Sequence, residues 1–176
     1  MKGSILRFQG RYREAVAEHE RALALDPSNI DAASNLGFDY IMQGREPEKS
    51  FEYFDKAIRA SPYDPSLVDW YGGKAVANFE LKRYDQAIEF ARQALAIRAD
   101  YEGFIHVTLV ASLALAGHDA EAREALQRYL TLPSTGTLKT VAAVKAFYSS
   151  QGGDPPRIEV NERTYEGLRK AGMPEK

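Results

Sequence analysis

Gln9-Gly10-Arg11-Tyr12-Arg13-Glu14-Ala15 is followed closely by Ala22-Leu23-Ala24-Leu25-Asp26-Pro27, and variants of these segments return along the chain. The first segment recurs as Lys82-Arg83-Tyr84-Asp85-Gln86-Ala87 and as Gly117-His118-Asp119-Ala120-Glu121-Ala122. One position of the motif always holds a small residue: Ala15, Ser50, Ala87 and Ala122. Their spacing of roughly 34–37 residues is the period of helical-hairpin repeats. The sequence therefore predicts an all-α fold, a right-handed solenoid of about four hairpins.

Each repeat is predicted to form two helices, because its apolar residues are spaced three and four positions apart. In the second repeat, Leu36 and Tyr40 would lie on the first helix, and Phe54 would face them from the second. The small residue of the motif is expected where the two helices cross, since helix axes approach to about 8 Å only beside small side chains. The first helices would contribute Gly3, Gly37, Ala75 and the larger Val110 at the same crossings.

The repeat motif disappears after Pro133-Ser134-Thr135-Gly136, and the remaining sequence predicts two more helices. Residues 137–149 are predicted as a ninth helix that covers the last hairpin. A flexible stretch at 151–156 is expected to lead into a final helix at 158–171. That helix would carry three apolar residues on one side: Ile158, Tyr165 and Leu168.

These features predict two parts, a repeat array at residues 1–134 and capping helices with a tail at residues 135–176. Solenoids need terminal caps with a polar outer face. Gly3 occupies a mid-helix position of the motif, so the first repeat is truncated at its N-terminus. We therefore expect the sequence to be part of a longer protein, with further domains before Met1.

Composition excludes several classes of function. The chain has 23 Lys and Arg against 25 Asp and Glu, so its net charge near −2 gives no basic field for nucleic acid or anionic lipid. It has no cysteine, which rules out disulfides, thiol nucleophiles and cysteine-ligated metals. No apolar run approaches the roughly 20 residues that span a bilayer. We expect a cytoplasmic protein without membrane insertion.

Three stretches resemble the tetratricopeptide repeat (TPR) family over residues 3–134. They are Leu36-Gly37-x-x-Tyr40, Gly10-x-Tyr12-x-x-Ala15 and Ala22-Leu23-x-Leu25-Asp26-Pro27. The resemblance implies a non-catalytic module without a cofactor, which binds a protein or peptide. The third repeat departs from the family pattern at Lys74, Asn78 and Ala99.

Both ends of the chain also resemble the C-terminal repeat regions of bacterial class III adenylate/guanylate cyclases. The resemblance rests on residues 2–12 and on Thr164-Tyr165-Glu166-Gly167-Leu168-Arg169-Lys170-Ala171-Gly172-Met173-Pro174-Glu175. It implies a regulatory or scaffolding region of a signalling enzyme whose catalytic domain lies upstream. Similar arrays follow winged-helix or TolB-like modules in bacterial regulators, so a transcriptional regulator is an alternative parent.

The expected binding surface is the concave wall formed by the first helices. Its apolar and acidic residues suit a short peptide or helix with basic and apolar side chains, although they could also be solvated residues without a ligand. Only Asn35 matches the chaperone-binding carboxylate clamp of this family, and no lysine or arginine is expected beside it. The candidate residues are Asp31, Ser34, Asn35, Phe38, Met42, Asp69, Gly72, Gly73, Val76, Glu80, Phe104 and Thr108, with Val107 and Ala111 beside them.

Gly72 and Gly73 allow two interpretations, because glycine inside a helix costs about 1 kcal/mol relative to alanine. They could form an open groove floor that admits a ligand backbone, or mark a helix kink. His19, His106 and His118 are interpreted as structural, since none has a second histidine or a carboxylate at ligand spacing. No catalytic or metal site is predicted.

Three functions remain open at this point. The favoured one is a protein-interaction module attached to a signalling enzyme. The second is self-association, in which the array dimerises its parent as a homodimer. The third, an enzyme in its own right, finds no supporting motif in the sequence.

Overall fold

The computed structural model describes residues 2–101, 103–133, 138–150 and 155–176. These residues form α-helices and, over the described ranges, no β-strand, which confirms the predicted all-α solenoid. The helices are α1 Lys2–Phe8, α2 Tyr12–Leu25, α3 Ile30–Gln43, α4 Lys49–Ala60, α5 Leu67–Glu80, α6 Tyr84–Ile97, α7 Phe104–Ala116, α8 Asp119–Thr131, α9 Val141–Ser150 and α10 Pro155–Ala171.

Local sequence signals set the ends of the first helix of the second hairpin. The Asn29 side chain accepts a hydrogen bond from the Ala32 backbone N–H at 2.8 Å, which caps the start of α3. Gly44 ends the same helix in the left-handed conformation, with φ 67°. The turn after α3 therefore needs glycine, and it returns the chain into α4.

The small residues of the repeat motif lie where the hairpin helices meet. Each of them is completely shielded from solvent. At Gly37 in the second hairpin, a Cβ atom would lie 2.8 Å from Phe54 Cε1, so the aromatic ring occupies the space that a side chain would need. The predicted burial of Ala15, Ser50, Ala87 and Ala122 is therefore confirmed. The residues that lie against Gly3 and Gly37 are His19 and Phe54, each four positions after the small residue with which a crossing was predicted.

The larger hydrophobic core joins the last hairpins to the C-terminal helices. Val110 of α7, Tyr129 of α8, Val144 of α9 and Leu168 of α10 belong to this one cluster, and all four are fully buried. A separate cluster around Phe54 fills the second hairpin and its contact with α5. The C-terminal helices therefore share the core of the array.

The C-terminal helices differ in detail from the sequence prediction. The ninth helix begins at Val141, and the final helix begins at Pro155, because proline is well suited to a first helical turn. Tyr165 and Leu168 are buried as predicted, but Ile158 is 54% exposed. The predicted part boundary at 134/135 and most of the predicted flexible stretch, residues 151–154, lie outside the described residues.

The helix α10 crosses the surface formed by α3, α5 and α7, which we call the inner face. A Cβ atom on Gly44, at the end of α3, would lie 3.1 Å from the Arg157 backbone N. Farther along, a Cβ atom on Gly167 would lie 2.7 Å from Ala111 Cα on α7. The sequence predicted α10 as one of the C-terminal capping helices, and in the structure it also crosses the inner face.

The tail after α10 completes this end of the molecule. The backbone N–H groups of Val141 and Ala142 donate to the carbonyls of Pro174 and Glu175 at 2.8 and 3.0 Å. These donors lie in the first turn of α9, where the backbone N–H groups have no acceptor within their own helix. Over the described residues, no helix has the length and apolarity required to cross a membrane.

Candidate functional site

The first-helix residues of the second hairpin form the N-terminal part of the inner face. Asp31 is exposed, and Ser34, Phe38 and Met42 are half-buried. Phe38 packs edge-on against Phe54, with ring centroids 5.0 Å apart. This part of the predicted site therefore offers one exposed carboxylate beside a partly accessible apolar surface.

Asn35 has an arginine beside it, contrary to the sequence prediction. The guanidinium of Arg7 donates to Asn35 Oδ1 at 2.7 Å and to Asp39 Oδ1 at 2.9 Å. Sequence spacing could not show this contact, because Arg7 comes from the preceding hairpin. The positive charge of Arg7 is compensated by Asp39, so the pair does not form a free clamp for a carboxylate.

Asp39 also binds His19, which ties three helices together. The ring Nδ1 of His19 lies 2.5 Å from Asp39 Oδ2, and the Asp39 side chain is fully buried. A Cβ atom on Gly3 would lie 2.6 Å from the imidazole, so α1 packs closely over it. The prediction that no carboxylate accompanies a histidine is therefore wrong for His19, although the contact fits a structural role. It is also wrong for His118, whose ring nitrogens lie 3.4 Å from Glu121 Oε1 and 3.8 Å from Asp85 Oδ1. Among the described residues no group of three metal-ligating side chains occurs.

Gly72 and Gly73 do not form an open floor. A Cβ atom on Gly73 would lie 2.4 Å from Phe54 Cζ, and one on Gly72 would lie 2.7 Å from Ile105 Cδ1. Both glycines are buried within the continuous helix α5. The open-floor interpretation is wrong for Gly72, because Ile105 fills the space that this glycine leaves. Phe54 fills the space that a side chain at Gly73 would need, although Gly73 still lines the wall of a cavity.

The two acidic residues of α5 are both engaged by other parts of the chain. The Tyr101 hydroxyl donates to Asp69 Oδ1 at 2.6 Å, and burial together with this hydrogen bond raises the tyrosine pKa. Glu80 pairs with Arg157 of α10, and Arg163 donates to the Glu80 carbonyl at 2.9 Å. Neither carboxylate is the free anion that the sequence suggested for a basic partner.

Burial controls the ionisation of Glu80. Its residue is 8% exposed, and burial raises the pKa of the carboxyl from 4.5 to about 7. The nearby guanidinium groups of Arg157 and Arg163 act in the opposite direction but do not outweigh the loss of solvent. Burial thus favours the neutral carboxyl of Glu80, while the two guanidinium groups favour its charged form.

Several predicted residues meet around a cavity of about 200 Å³ between the inner face, α9 and α10, which we call the inner cavity. Six of the predicted residues line it: Phe38, Met42, Gly73, Val76, Phe104 and Thr108. The C-terminal helices add residues that the sequence analysis missed, since no repeat motif covers that region: Phe147, Tyr148, Arg157, Val160, Asn161 and Thr164.

The remaining predicted residues do not line the inner cavity. Asp31, Ser34 and Asn35 lie on α3 outside it, while Gly72, Val107 and Ala111 are buried in helix contacts. A larger cavity of about 600 Å³ lies among α6, α7 and α8, with His106 in its wall. Burial lowers the His106 pKa, and none of the predicted binding residues reaches this second cavity.

Two family models match overlapping parts of the chain. A TPR repeat model matches residues 3–44, and a tetratricopeptide repeat model matches residues 28–100. The chain is 31% identical over 94 residues to Hsp70-Hsp90 organizing protein 3 of Arabidopsis thaliana. It is 25% identical over 114 residues to the DnaJ homolog subfamily C member 7 homolog of Schizosaccharomyces pombe. These matches cover 53% and 57% of this chain, but only 16% and 24% of the two relatives.

Solved structures share the fold at low sequence identity. A crystal structure of MamA superposes with a TM-score of 0.65 at 20% identity, covering 96% of this chain and 95% of that chain. The crystal structure of YrrB, described as a TPR protein with an unusual peptide-binding site, gives 0.60 at 16% identity and covers 95% and 83%.

These matches and the buried crossings of the hairpins lead to the same assignment. Both matching models describe proteins built from tetratricopeptide repeats. The chain has the α-solenoid fold of such proteins, and its residues 3–100 are tetratricopeptide repeats.

Proposed function

We propose that this chain is a non-catalytic interaction module that binds a peptide or helix of a partner protein on its inner face. The observation that supports this most directly is the inner cavity, where side chains of three successive first helices converge on one apolar space. Apolar cavities of this kind accept the anchor residues that supply most of the affinity in protein interfaces. The proposed anchor site consists of Phe38, Met42, Val76, Phe104 and Thr108.

The partner would be selected mainly through an apolar side chain. Asp69 and Glu80 already have partners within the chain, so they provide less attraction for a basic ligand than their charges suggest. Asp31 is exposed at the edge of the same face, where it would favour a basic residue beside the anchor. Ser34 and Asn35 lie near it on α3 and would border the bound segment.

Filling the inner cavity with a large side chain tests whether it is the binding site. Val76→Trp places a large side chain in the inner cavity, and Ala24→Trp makes the same addition at an exposed position of α2. Both variants and the wild type would be used as bait in quantitative pull-downs. We expect Val76→Trp to lose specific proteins that Ala24→Trp retains, at equal thermal stability. A folded Val76→Trp variant that captures the same proteins would reject the inner cavity as the site.

The proposed parent is a cytoplasmic bacterial class III adenylate/guanylate cyclase, in which this region is regulatory or scaffolding. The support is the resemblance of the two chain ends, at residues 2–12 and 164–175, to such proteins. The test is nucleotide cyclisation by the full-length parent, with and without this region. A parent without cyclase activity, for example a DNA-binding regulator, would reject this assignment and leave the binding proposal unaffected.

Self-association is the second candidate function. Ile5 and Phe8 on α1 are 54% and 86% exposed, and an exposed apolar helix surface can pair with another subunit. Light scattering of the chain at tens of micromolar tests this alternative. A strict monomer would remove it, whereas a dimer that Phe8→Ser dissociates would support it.

A further inference from the structure

The helix α10 covers the inner face in the way that a bound helix would. Val160 packs with Phe79 of α5 and Ala111 of α7 in a small apolar cluster. Gly167 lies directly on the Ala111 backbone, where even one additional carbon atom would have no room. Val160 and Gly167 thus let α10 pack closely on α5 and α7, although α10 belongs to no repeat.

Charge complementarity fixes the N-terminal part of α10. Arg157 forms an ion pair with the Glu80 carboxylate, and the two side chains are 13% and 2% exposed. Arg163, six residues later on the same helix, donates to the Glu80 backbone carbonyl. The end of α5 therefore presents a buried acidic acceptor site that recognises arginine on a crossing helix.

The polar groups at this contact are incompletely paired. Among the described residues, five buried side-chain atoms have no hydrogen-bond partner, and three belong to this contact. They are Glu80 Oε2, Arg163 Nε and Asn161 Oδ1. Unpaired buried polar atoms destabilise the contact that buries them. Asp39 shows the contrast, because both of its carboxylate oxygens have partners.

We propose that α10 is an intramolecular ligand of the inner face, and that the partner is a helix of the same chemistry which takes its place. Such a helix carries arginine opposite Glu80, a small aliphatic residue three positions later and glycine ten positions after the arginine. These are the positions of Arg157, Val160 and Gly167 in α10. The inference rests on the proposed function, since it names the partner of the same inner face. Displacement of α10 uncovers the core around Tyr165 and Leu168, which the partner helix must cover in turn. It also opens the inner cavity to the partner's apolar side chain.

Hydrogen exchange of the full chain tests whether α10 opens separately. We expect the amides of α10 to exchange about tenfold faster than those of α7, through local opening. Arg157→Ala should accelerate α10 further and leave α2 to α6 unchanged. The matched control is Arg169→Ala, because Arg169 lies on the same helix but pairs with Glu175 at the surface. If α10 and α7 exchange together in the wild type and in Arg157→Ala, α10 is a fixed part of the fold and the proposal is wrong.

A labelled peptide with the sequence of residues 155–173 tests replacement directly. Fluorescence anisotropy should show binding to the full-chain Arg157→Ala variant about tenfold tighter than to the wild type, because the peptide arginine restores the pair with Glu80. The same peptide with alanine in place of that arginine should lose this advantage. Equal affinity of the two peptides, or no binding to Arg157→Ala, would overturn the proposal.

Two further outcomes distinguish failure of this proposal from failure of the proposed function. A concentration-dependent dimer of Arg157→Ala would assign the place of α10 to a second copy and overturn the proposal of a separate partner. Peptide binding that Val76→Trp does not affect would contradict the anchor site of the proposed function while leaving the exchange of α10 supported. Failure of one proposal is thus distinguishable from failure of the other.

Discussion

Glu80 and Arg157 form an ion pair although 77 positions separate them in the sequence. Glu80 is the last residue of α5, and Arg157 lies in the first turn of α10. This pair joins the end of the third repeat's first helix to a helix that follows the repeats. The contact buries a carboxylate and brings two arginines onto the inner face, and it therefore determines how much of that face remains open.

The burial of Glu80 predicts a pH dependence of stability. Its pKa is about 7 in the folded chain, above its ordinary value of 4.5, so the folded state binds the proton more tightly than the unfolded state. The contribution of Glu80 is fully present below pH 4.5 and is lost as the pH rises through about 7. We expect a loss of at most about 3 kcal/mol in the free energy of unfolding.

Urea titrations of the wild type and Glu80→Gln between pH 4 and 8 measure this effect. Glutamine remains neutral, so the difference in unfolding free energy between the two proteins should shift across this range. All other titratable groups are common to the two proteins, so their contribution cancels in the difference. A difference that is independent of pH would contradict the raised pKa of Glu80.

Ala87→Leu tests the crossing of the third hairpin. Ala87 lies on α6 and is fully buried against the neighbouring helices. The three additional carbon atoms of leucine would therefore force the helices apart. We expect a loss of about 1–3 kcal/mol in the free energy of unfolding, measured by urea denaturation. Gln86→Leu adds a leucine at the adjacent exposed position and should change stability little. Equal stability of Ala87→Leu and the wild type would be incompatible with this packing.

Gly73→Ala separates helix propensity from packing. Alanine is the better helix former by about 1 kcal/mol, yet its Cβ would lie 2.4 Å from the Phe54 ring. We expect the variant to be destabilised by about 1–2 kcal/mol, because Phe54 is fully buried and has little freedom to move. In a double-mutant cycle, Gly73→Ala should reduce the free energy of unfolding by less in a Phe54→Leu background than in the wild type. Stabilisation by Gly73→Ala alone would show that the ring moves freely.

The repeat fold was predictable from the sequence because its determinants are local. A small residue returns at a fixed spacing, and each of Ala15, Ser50, Ala87 and Ala122 is buried as that spacing requires. Helical register also assigned Phe38 and Val76 to the inner face, and both line the inner cavity. Their role in binding a partner stays a prediction.

The contacts between distant elements were not predictable in this way. Repeat register does not indicate that Phe54 fills the space above Gly73, because that depends on the size of a side chain from another helix. The position of α10 has no motif behind it, and its contact with Glu80 joins residues that are far apart in the chain. The same limitation hid Arg7 beside Asn35, because the two belong to different hairpins.

Asp39→Asn tests the contact that joins the first hairpin to the second. The fully buried carboxylate holds both Arg7 and His19, and asparagine cannot supply two anionic acceptors to them. Removing one member of a buried charged pair costs about 3–5 kcal/mol, so the midpoint of urea unfolding should fall markedly. Asp31→Asn makes the same change at an exposed position of α3 and should leave the midpoint in place. Hydrogen exchange should accelerate in α1 and α2 before it does in α7. Uniform acceleration would mean that the contact stabilises the whole array rather than its first hairpin.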